Sequence, residues 1–507
     1  MELIERDGFI SLLEDKYRQL SGGEGHTVFV NGEAGIGKTT LLKEFRRQIE
    51  NDSNVFIGTC DALFTPRPLA PLYDIAWQMP GTEWMQQDDV SKRGELFTRF
   101  YQVLKSRKEK TVIIFEDIHW ADEASFDFIK FLARRINSVQ CLFIITHRND
   151  ECPSIQLLRN VMGQLAPDTF TRMPLPPLSK QSVEKLAAER GYKGEDVYSI
   201  SGGNPFYVNE ILAWYSHGVP ANIKDSILSI YNQVEEHLKE LWAILSIVPT
   251  GLETRYLRQM DESSMQSFEN CFSSGILVLK ENVVSFKHEL YRRTIEETLS
   301  PLKRMALNKK ILGLFLQQFE ENNEIERIVH HAKNASEYDV VVKYAPIAAK
   351  QAASLGAHTE AAKLYLTAVE YYQGNDKELL VQLYEAYAYE CYLTNQTKEA
   401  IVYNNKAFTI WKEKGELLHV ADSLRFLSRL WWFEGNRKQA EYYAKEAVTV
   451  LENEPESAAK AMAFSNMAQL EMLGDHIDEC IFWGEKAIAM AKELNNEEIL
   501  SHALNNV

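Results

Sequence analysis

The sequence predicts a multidomain chain, α/β at its start and all-helical at its end. Three observations carry that expectation. Residues 1 to about 175 alternate short apolar runs with amphipathic stretches, as strands joined by crossover helices in a parallel sheet do. Past Pro301 the chain reads as helix, rich in Ala, Leu, Tyr, Glu and Lys with few prolines. Within that helical part small residues recur at a fixed interval. At 507 residues the chain is too long for a single core.

The strand candidates are Thr27–Asn31, Val55–Thr59, Thr111–Phe115 and Cys141–Thr146. Directly after the first comes Gly32-Glu33-Ala34-Gly35-Ile36-Gly37-Lys38-Thr39, followed by Thr40 and the helix formers Leu41-Leu42-Lys43-Glu44-Phe45. Glycines at this spacing let backbone N–H groups curl around a phosphate chain. Lys38 then reaches the β and γ oxygens, and the Thr39 hydroxyl is placed for Mg²⁺. Strand, glycine-rich loop and helix together make a P-loop, so the chain is expected to bind a nucleoside triphosphate, ATP or its product ADP.

Such a loop needs an acidic element on a neighbouring strand. Val112-Ile113-Ile114-Phe115-Glu116-Asp117 supplies it, an apolar run ending in two carboxylates at the sheet edge where open α/β sheets bind ligands. One carboxylate is expected to serve Mg²⁺ through water and the other to act as general base; which does which stays open. The strand Cys141–Thr146 is followed by His147 and Arg148, and Arg148 is a candidate sensor of the γ-phosphate.

Around Pro174, Pro176 and Pro177 the alternation breaks into short helices. Between 223 and 300 a helical pattern ends in Gly275–Leu279 and Val283–Phe286, two short strands that suggest a winged-helix module. In the helical part, small residues pair seven apart as Ala361/Ala368, Ala400/Ala407, Ala440/Ala447 and Cys480/Ala487, with first members 39, 40 and 40 residues apart. Each pair follows a turn signal, at Leu355-Gly356, Thr394-Asn395, Glu434-Gly435 and Leu473-Gly474. This is the period of a tetratricopeptide-like unit, which buries its face only against its neighbours and builds a solenoid with an inner groove. The expected division is therefore a P-loop NTPase domain with a parallel sheet at 1–175, a helical lid at 176–222 and a winged-helix module at 223–300. A helical linker at 301–345 and TPR-like repeats at 346–507 complete it.

The bulk numbers narrow the partners. Net charge is −17, from 55 basic and 72 acidic residues, which counts against nucleic acid as the main partner. The six cysteines are scattered without metal spacing, as expected in a reducing cytoplasm. The start Met1-Glu2-Leu3-Ile4-Glu5-Arg6 lacks the features of a secretion signal, and no apolar run has the length to span a bilayer.

The run Ile118-His119-Trp120-Ala121-Asp122 after the acidic pair resembles the extended second motif of signal-transduction ATPases with numerous domains, the STAND class. The chain more narrowly resembles large ATP-binding LuxR-type transcriptional regulators, which join an AAA ATPase to TPR-like repeats. Ser201-Gly202-Gly203-Asn204-Pro205-Phe206, Phe286-Lys287-His288-Glu289-Leu290, His330-His331-Ala332 and Ser428-Arg429-Leu430-Trp431-Trp432 carry that likeness, with stretches at 344–346, 355–358 and 504–507. The resemblance implies that Pro205 packs on the adenine and that His288 points back at the β-phosphate in a closed, ADP-bound state. It also implies that Arg6 lies near the nucleotide. The acidic pair departs from many relatives in having Glu before Asp.

The function expected from this likeness is a slow ATPase used as a signalling switch in transcription. An inducer or protein on the repeats would favour an open form that self-associates. Alternatives are a regulatory ATPase serving another output, of nucleotide cyclase or kinase type, or a binding scaffold built on the repeats. The chain reaches Val507 without a helix-turn-helix, so it reads as a truncated relative with no direct DNA binding of its own. Adjacent helical positions point about 100° apart, so either one of Trp431 and Trp432 faces the groove while the other is core, or both pack between helices; the sequence leaves both readings open.

Overall fold

The computed structural model describes residues 3–49, 54–60, 63, 66–87, 93–148, 153–214, 224, 227–228, 231–232, 236–249, 251–260, 272, 276–280, 282–317 and 325–507. The anticipated boundary at 222/223 lies outside them, as do Gly275, Glu281, Cys152 and Cys271. The chain divides into two compact units, Met1–Glu337 with Ser354–Ala357, and Tyr338–Ala353 with His358–Val507.

The first unit is built on five parallel strands: β1 (His26–Asn31), β2 (Asn54–Thr59), β3 (Thr111–Glu116), β4 (Cys141–His147) and β5 (Phe170–Pro174), in the order β2-β3-β4-β1-β5. The central strands β1, β3 and β4 are buried almost throughout, because helices cover both faces, and they read as unbroken apolar runs. Val28, Val30, Val112, Ile114, Leu142 and Ile144 pack with Leu41, Leu42 and Phe45 of the helix Lys38–Ile49 and with Leu13 and Tyr17 of the helix Asp7–Gln19. On another side of the core, Phe115 stacks on Phe128 and meets Phe143 edge-on.

The four anticipated strands appear within a residue of their expected ends. The fifth, β5, was not anticipated. It is an edge strand, mostly half-exposed, so Phe170-Thr-Arg-Met-Pro174 shows no apolar run, and its pairing with β1 is long-range.

Beyond the sheet, Lys180–Glu189, Gly194–Ser201 and Pro205–Trp214 form short helices around Val183, Val197, Val208 and Ile211. A three-stranded antiparallel sheet follows, β6 (Leu252–Glu253), β7 (Leu277–Lys280) and β8 (Val283–Phe286), ordered β6-β8-β7. The hairpin β7–β8 is the anticipated strand pair, and β6 adds a third strand that two residues of sequence could not signal. Directly after β8 the helix Glu289–Thr298 begins.

The second unit is a succession of antiparallel helix pairs. His358–Tyr371 meets Lys377–Leu393, Thr397–Lys414 meets Leu417–Phe433, and Arg437–Val450, Ala458–Leu473, Ile477–Glu493 and Glu497–Leu504 continue the series. The small residues at 361, 368, 400, 407, 440, 447 and 487 are all at most 1% exposed, which is what lets neighbouring helices approach. Turns between helices use a left-handed residue: Asn395 at φ 60°, Gly435 at 74°, Asp475 at 60° and Asn495 at 49°. At the fourth turn the left-handed position is Asp475, while the anticipated Gly474 caps the helix at φ −91°.

Among the described residues no helix is long and apolar enough to cross a membrane.

Candidate functional site

The site gathers at the carboxyl edge of the sheet. β1 delivers the loop Gly32–Gly37, and its neighbour β4 ends beside it with His147 and Arg148. The next strand, β3, ends in Glu116 and Asp117. The loop depends on two left-handed glycines, Gly35 at φ 80° and Gly37 at φ 96°, conformations an L side chain strains to adopt. Buried Lys38 opens the following helix, and its ammonium donates to the loop's own carbonyls, Gly32 O at 2.7 Å and Glu33 O at 3.0 Å. Thr39 and Thr40 are exposed in the first turn, and the Thr39 hydroxyl donates to the Glu116 carboxylate.

Asp117 stands in the left-handed region at φ 53°, an uncommon place for a residue with a side chain. Its N–H donates to Thr146 Oγ1 at 2.9 Å, which ties the end of β3 to β4. Both carboxyls titrate above their ordinary range. Burial raises Glu116 first and the neighbouring Asp117 charge adds to it, while Lys280 and the Thr39 hydroxyl oppose. Burial also raises Asp117, opposed by Arg148 and Lys38. Arg148 therefore lies within electrostatic reach of the acidic pair.

A second wall comes from residues far along the chain. Asn204 Nδ2 donates to Ala34 O at 2.9 Å, and Phe206 N donates to Gly35 O at 3.2 Å. Pro205 sits half-buried between them, opening the helix Pro205–Trp214. The His288 ring stacks on Phe206 with centroids 3.9 Å apart and planes 20° apart. Its Nδ1 accepts from Leu290 N at 3.2 Å and so caps the helix Glu289–Thr298. In the neutral ring the proton is then on Nε2, which lies 3.4 Å from where a Cβ on Gly35 would stand. Burial, helped by Arg148, drives the His288 pKa down to about 4, so at neutral pH the ring is an uncharged donor.

Arg6 is also in place. Its guanidinium is 3% exposed and donates to Pro176 O at 2.7 Å and Ile36 O at 3.4 Å, bracing the loop from behind. Beside it lies a cavity of 550 Å³ whose walls include Phe9, Leu12, Ile36, Met173, Pro174 and Pro176. Glu33 and Arg172 also line it, so a largely apolar wall carries two charged groups. Pro205 is not among its walls.

The geometry brings the P-loop, Glu116, Asp117, Arg148 and His288 to one edge. It also adds residues that spacing did not reveal. Asn204 and Phe206 reach the loop's carbonyls across about 170 residues of sequence; their stretch was marked by resemblance, but no spacing pointed to these partners. His119 has both ring nitrogens buried without a hydrogen-bond partner, with Nδ1 3.8 Å from Asp117 Oδ1, and burial beside Arg148 and Lys38 lowers its pKa to about 3. Asp122, from the same run, is structural. It is fully buried, caps the helix Glu123–Ala133 through Ser125 N at 3.2 Å and accepts from Leu69 N at 3.0 Å. Among the described residues no cluster of three or more His, Cys, Asp or Glu forms a ready metal cage. Thr39 with Glu116 and Asp117 nevertheless offers the hard oxygen donors that suit Mg²⁺ held mainly by phosphates.

In the repeats, Trp431 and Trp432 follow the alternative in which both pack between helices. Both are partly buried against Ala440, Ala444, Met467 and Leu470. A helix in a stack has neighbours on two sides, so rotation by one position moves an indole from one helix contact to another rather than into the open.

A curated relative, an uncharacterized protein of Rhizobium meliloti (strain 1021), is 22% identical in an alignment that covers 71% of this chain and 42% of that protein. The chain thus spans less than half the length of the relative. Among solved structures, a signal transduction ATPase with numerous domains carrying a tetratricopeptide repeat sensor, from Pyrococcus horikoshii, aligns with a TM-score of 0.46 at 16% identity. That alignment covers 97% of this chain and 78% of the other. The Aeropyrum pernix ORC2 protein in its ADPNP–ADP complexes aligns with a TM-score of 0.32 at 14% identity, over 62% of this chain and 96% of that one. Residues 2–145, which hold the helix Asp7–Gln19, the P-loop, the acidic pair and most of β4, match the AAA ATPase domain family.

Proposed function

We infer that this chain is an ATP-binding signal-transduction switch of the STAND type, with slow hydrolysis, and that it serves transcription control in the manner of LuxR-type regulators. The observation that carries the reading is His288. A residue that caps a helix beyond the β7–β8 hairpin presents its Nε2–H to the mouth of the P-loop, and Phe206 of the lid supports its ring. A nucleotide there would be held by two parts of the chain at once, so its phosphate count would govern whether they stay together.

The roles follow from position. Lys38 and the N-terminus of its helix would take the β and γ oxygens, Arg6 and the apolar cavity the base, and Arg148 the γ-phosphate. Mg²⁺, carried in with the phosphates, would neutralise their charge, with Thr39 and one carboxylate of the pair as its protein-side oxygens. The other carboxylate would orient the attacking water. We read the domains as a P-loop NTPase at 1–175, lid at 176–222, winged helix at 223–300, linker at 301–345 and sensor repeats at 346–507, with a cytoplasmic location. The repeats would receive an inducer or protein partner, and the ATP form would self-associate.

Hydrogen exchange under ADP, a non-hydrolysable ATP analogue and no nucleotide tests this directly. ADP is expected to slow exchange in 283–298 and 204–212 relative to the analogue. Equal exchange in all three conditions refutes the switch.

A further inference from the structure

A cavity of 430 Å³ opens in the second unit between the helices Lys377–Leu393 and Leu417–Phe433. Its walls are ordered by charge. At one end stand Glu385 and Asp422 with His419, and at the other Tyr392 and Arg429, with Tyr389, Phe426 and the Asp422-paired Arg425 between. Glu385 to Tyr392 is seven residues on one helix, and Asp422 to Arg429 is seven on the other. At about 1.5 Å per residue the two ends are therefore roughly 10 Å apart.

The acidic end is short of positive charge. Glu385 accepts from Trp411 Nε1 at 2.6 Å; burial raises its pKa, the Trp411 bond and nearby His419 oppose, and the Asp422 and Glu378 charges add to the rise. Arg425 binds Asp422 Oδ1 at 2.8 Å and is its one counter-charge among the described residues. The basic end is short of negative charge. Arg429 donates through Nε to the Tyr392 hydroxyl at 2.8 Å, and among the described residues no carboxylate pairs with it. Both arginines also bear on His502, whose pKa burial lowers and they lower further. Between the ends, Tyr389 is 52% exposed, and the Ser423 hydroxyl, buried in the cavity wall, has no hydrogen-bond partner.

We propose that this groove binds a short peptide with free termini, about three residues long, its ammonium at Glu385 and Asp422 and its carboxylate at Arg429. An extended chain covers roughly 3.3–3.6 Å per residue, so three residues match the separation of the two ends. The middle residue lies on Tyr389 and Phe426, which favours an apolar or aromatic side chain. A purely anionic ligand would satisfy Arg429 but face Glu385 and Asp422, so the zwitterion is the better fit. The proposal rests on the repeats being the sensor and adds the ligand class.

The test titrates the full chain with a pool of tripeptides whose central residue is Phe, Tyr, Trp, Leu, Ile, Val or Met. Binding is read by calorimetry and by the fluorescence of Trp411. Binding is expected, and N-acetylation or C-amidation of the tightest peptide should each weaken it about tenfold or more, the scale of a lost charge-assisted pair. Asp422→Asn should abolish the penalty for acetylation only, and Arg429→Gln the penalty for amidation only. Thermal melts of both variants check that the repeats stay folded, and Arg429→Lys should recover part of the carboxylate preference. No binding from the pool at millimolar concentration, or blocked termini that change affinity less than about twofold, overturns the proposal. So does displacement by inorganic phosphate alone, which marks a simple anion site. Nucleotide exchange is followed in parallel. A bound peptide that leaves ADP release unchanged keeps the groove and removes the switch, and ADP-dependent protection without peptide binding does the reverse.

Discussion

Replacing His288 by Ala tests the contact on which the switch depends. The wild-type ring has Nδ1 committed to Leu290 N at 3.2 Å and its stacking face committed to Phe206 at 3.9 Å. One polar atom remains, Nε2, which lies 3.4 Å from the Cβ position of Gly35 at the loop's mouth. A hydrogen bond from it to a diphosphate has a charged acceptor, worth about 1.5–3 kcal/mol, and 1.4 kcal/mol is tenfold in affinity. ADP affinity should therefore fall by at least tenfold, with the change mostly in the off-rate.

Truncation also removes the helix cap and the stack, so two companions separate the effects. His288→Phe keeps the ring on Phe206 without the donor and should lose ADP affinity like Ala. His288→Gln can restore a donor and should lose less. Stopped-flow release of a fluorescent ADP analogue measures all three, with melting temperatures as the check on folding. Release unchanged within about twofold in both the Ala and Phe variants refutes the contact and leaves His288 as a helix cap.

Lys38→Ala should abolish ATP binding measured by calorimetry, since it removes the ammonium that now rests on Gly32 O and Glu33 O. Glu116→Gln and Asp117→Asn should keep nucleotide and lose phosphate release; normal turnover in both variants would exclude the pair from hydrolysis. Gly35→Ala puts a methyl 2.8 Å from Phe206 Cβ at φ 80°, so it should cost about 1–3 kcal/mol of strain and weaken ADP binding; unchanged binding would show that the wall at Phe206 is not held against the loop. Acid should weaken the first unit early. His26 and His288 titrate near 4 and His119 near 3, all below 6.5, so the stability they contribute is complete above pH 6.5 and falls as pH drops towards 4. At pH 5.5 His119 and His288 each cost about 1.4 kcal/mol through the protonated unfolded chain, and the more solvated His26 less, visible as a lower melting temperature than at pH 7.5.

What could be read in the sequence was what its neighbours in sequence determine. The P-loop is contiguous, its glycines are needed at fixed offsets, and its strand and helix adjoin it, so Gly32 to Thr40 were legible in full. The repeats were legible because seven-residue spacing of alanines is a local packing requirement repeated four times. β5 was hidden because an edge strand half in water needs no apolar run. Asn204 and Phe206 stood in a stretch marked by resemblance, but their contacts were hidden because the partners Ala34 and Gly35 are about 170 residues away. His288 was found by resemblance, since a lone histidine after a strand has no local signature. The tryptophan pair stayed open in the sequence because helix geometry fixes the angle between two side chains and not which faces neighbouring helices cover.

The charges at the sheet edge explain why the site fits a metal-bound polyphosphate better than either component alone. Lys38 and Arg148 lie within electrostatic reach of Asp117, and the two sets of charge perturb the groups around them. Burial first and the cations after it lower His119 and His288, while burial raises both carboxyls and the Asp117 charge raises Glu116 further. A bare polyphosphate would satisfy Lys38 and Arg148 but raise the carboxyls further. A bare cation would relieve Glu116 and Asp117 but add to the field that already suppresses the histidines. Only the two together answer both mismatches. Loss of the γ-phosphate would then leave Arg148 under-paired and the acidic pair less neutralised, while the β-phosphate stays within reach of His288. The closed arrangement would thus belong to the diphosphate, and the histidine would act through the difference of one phosphate.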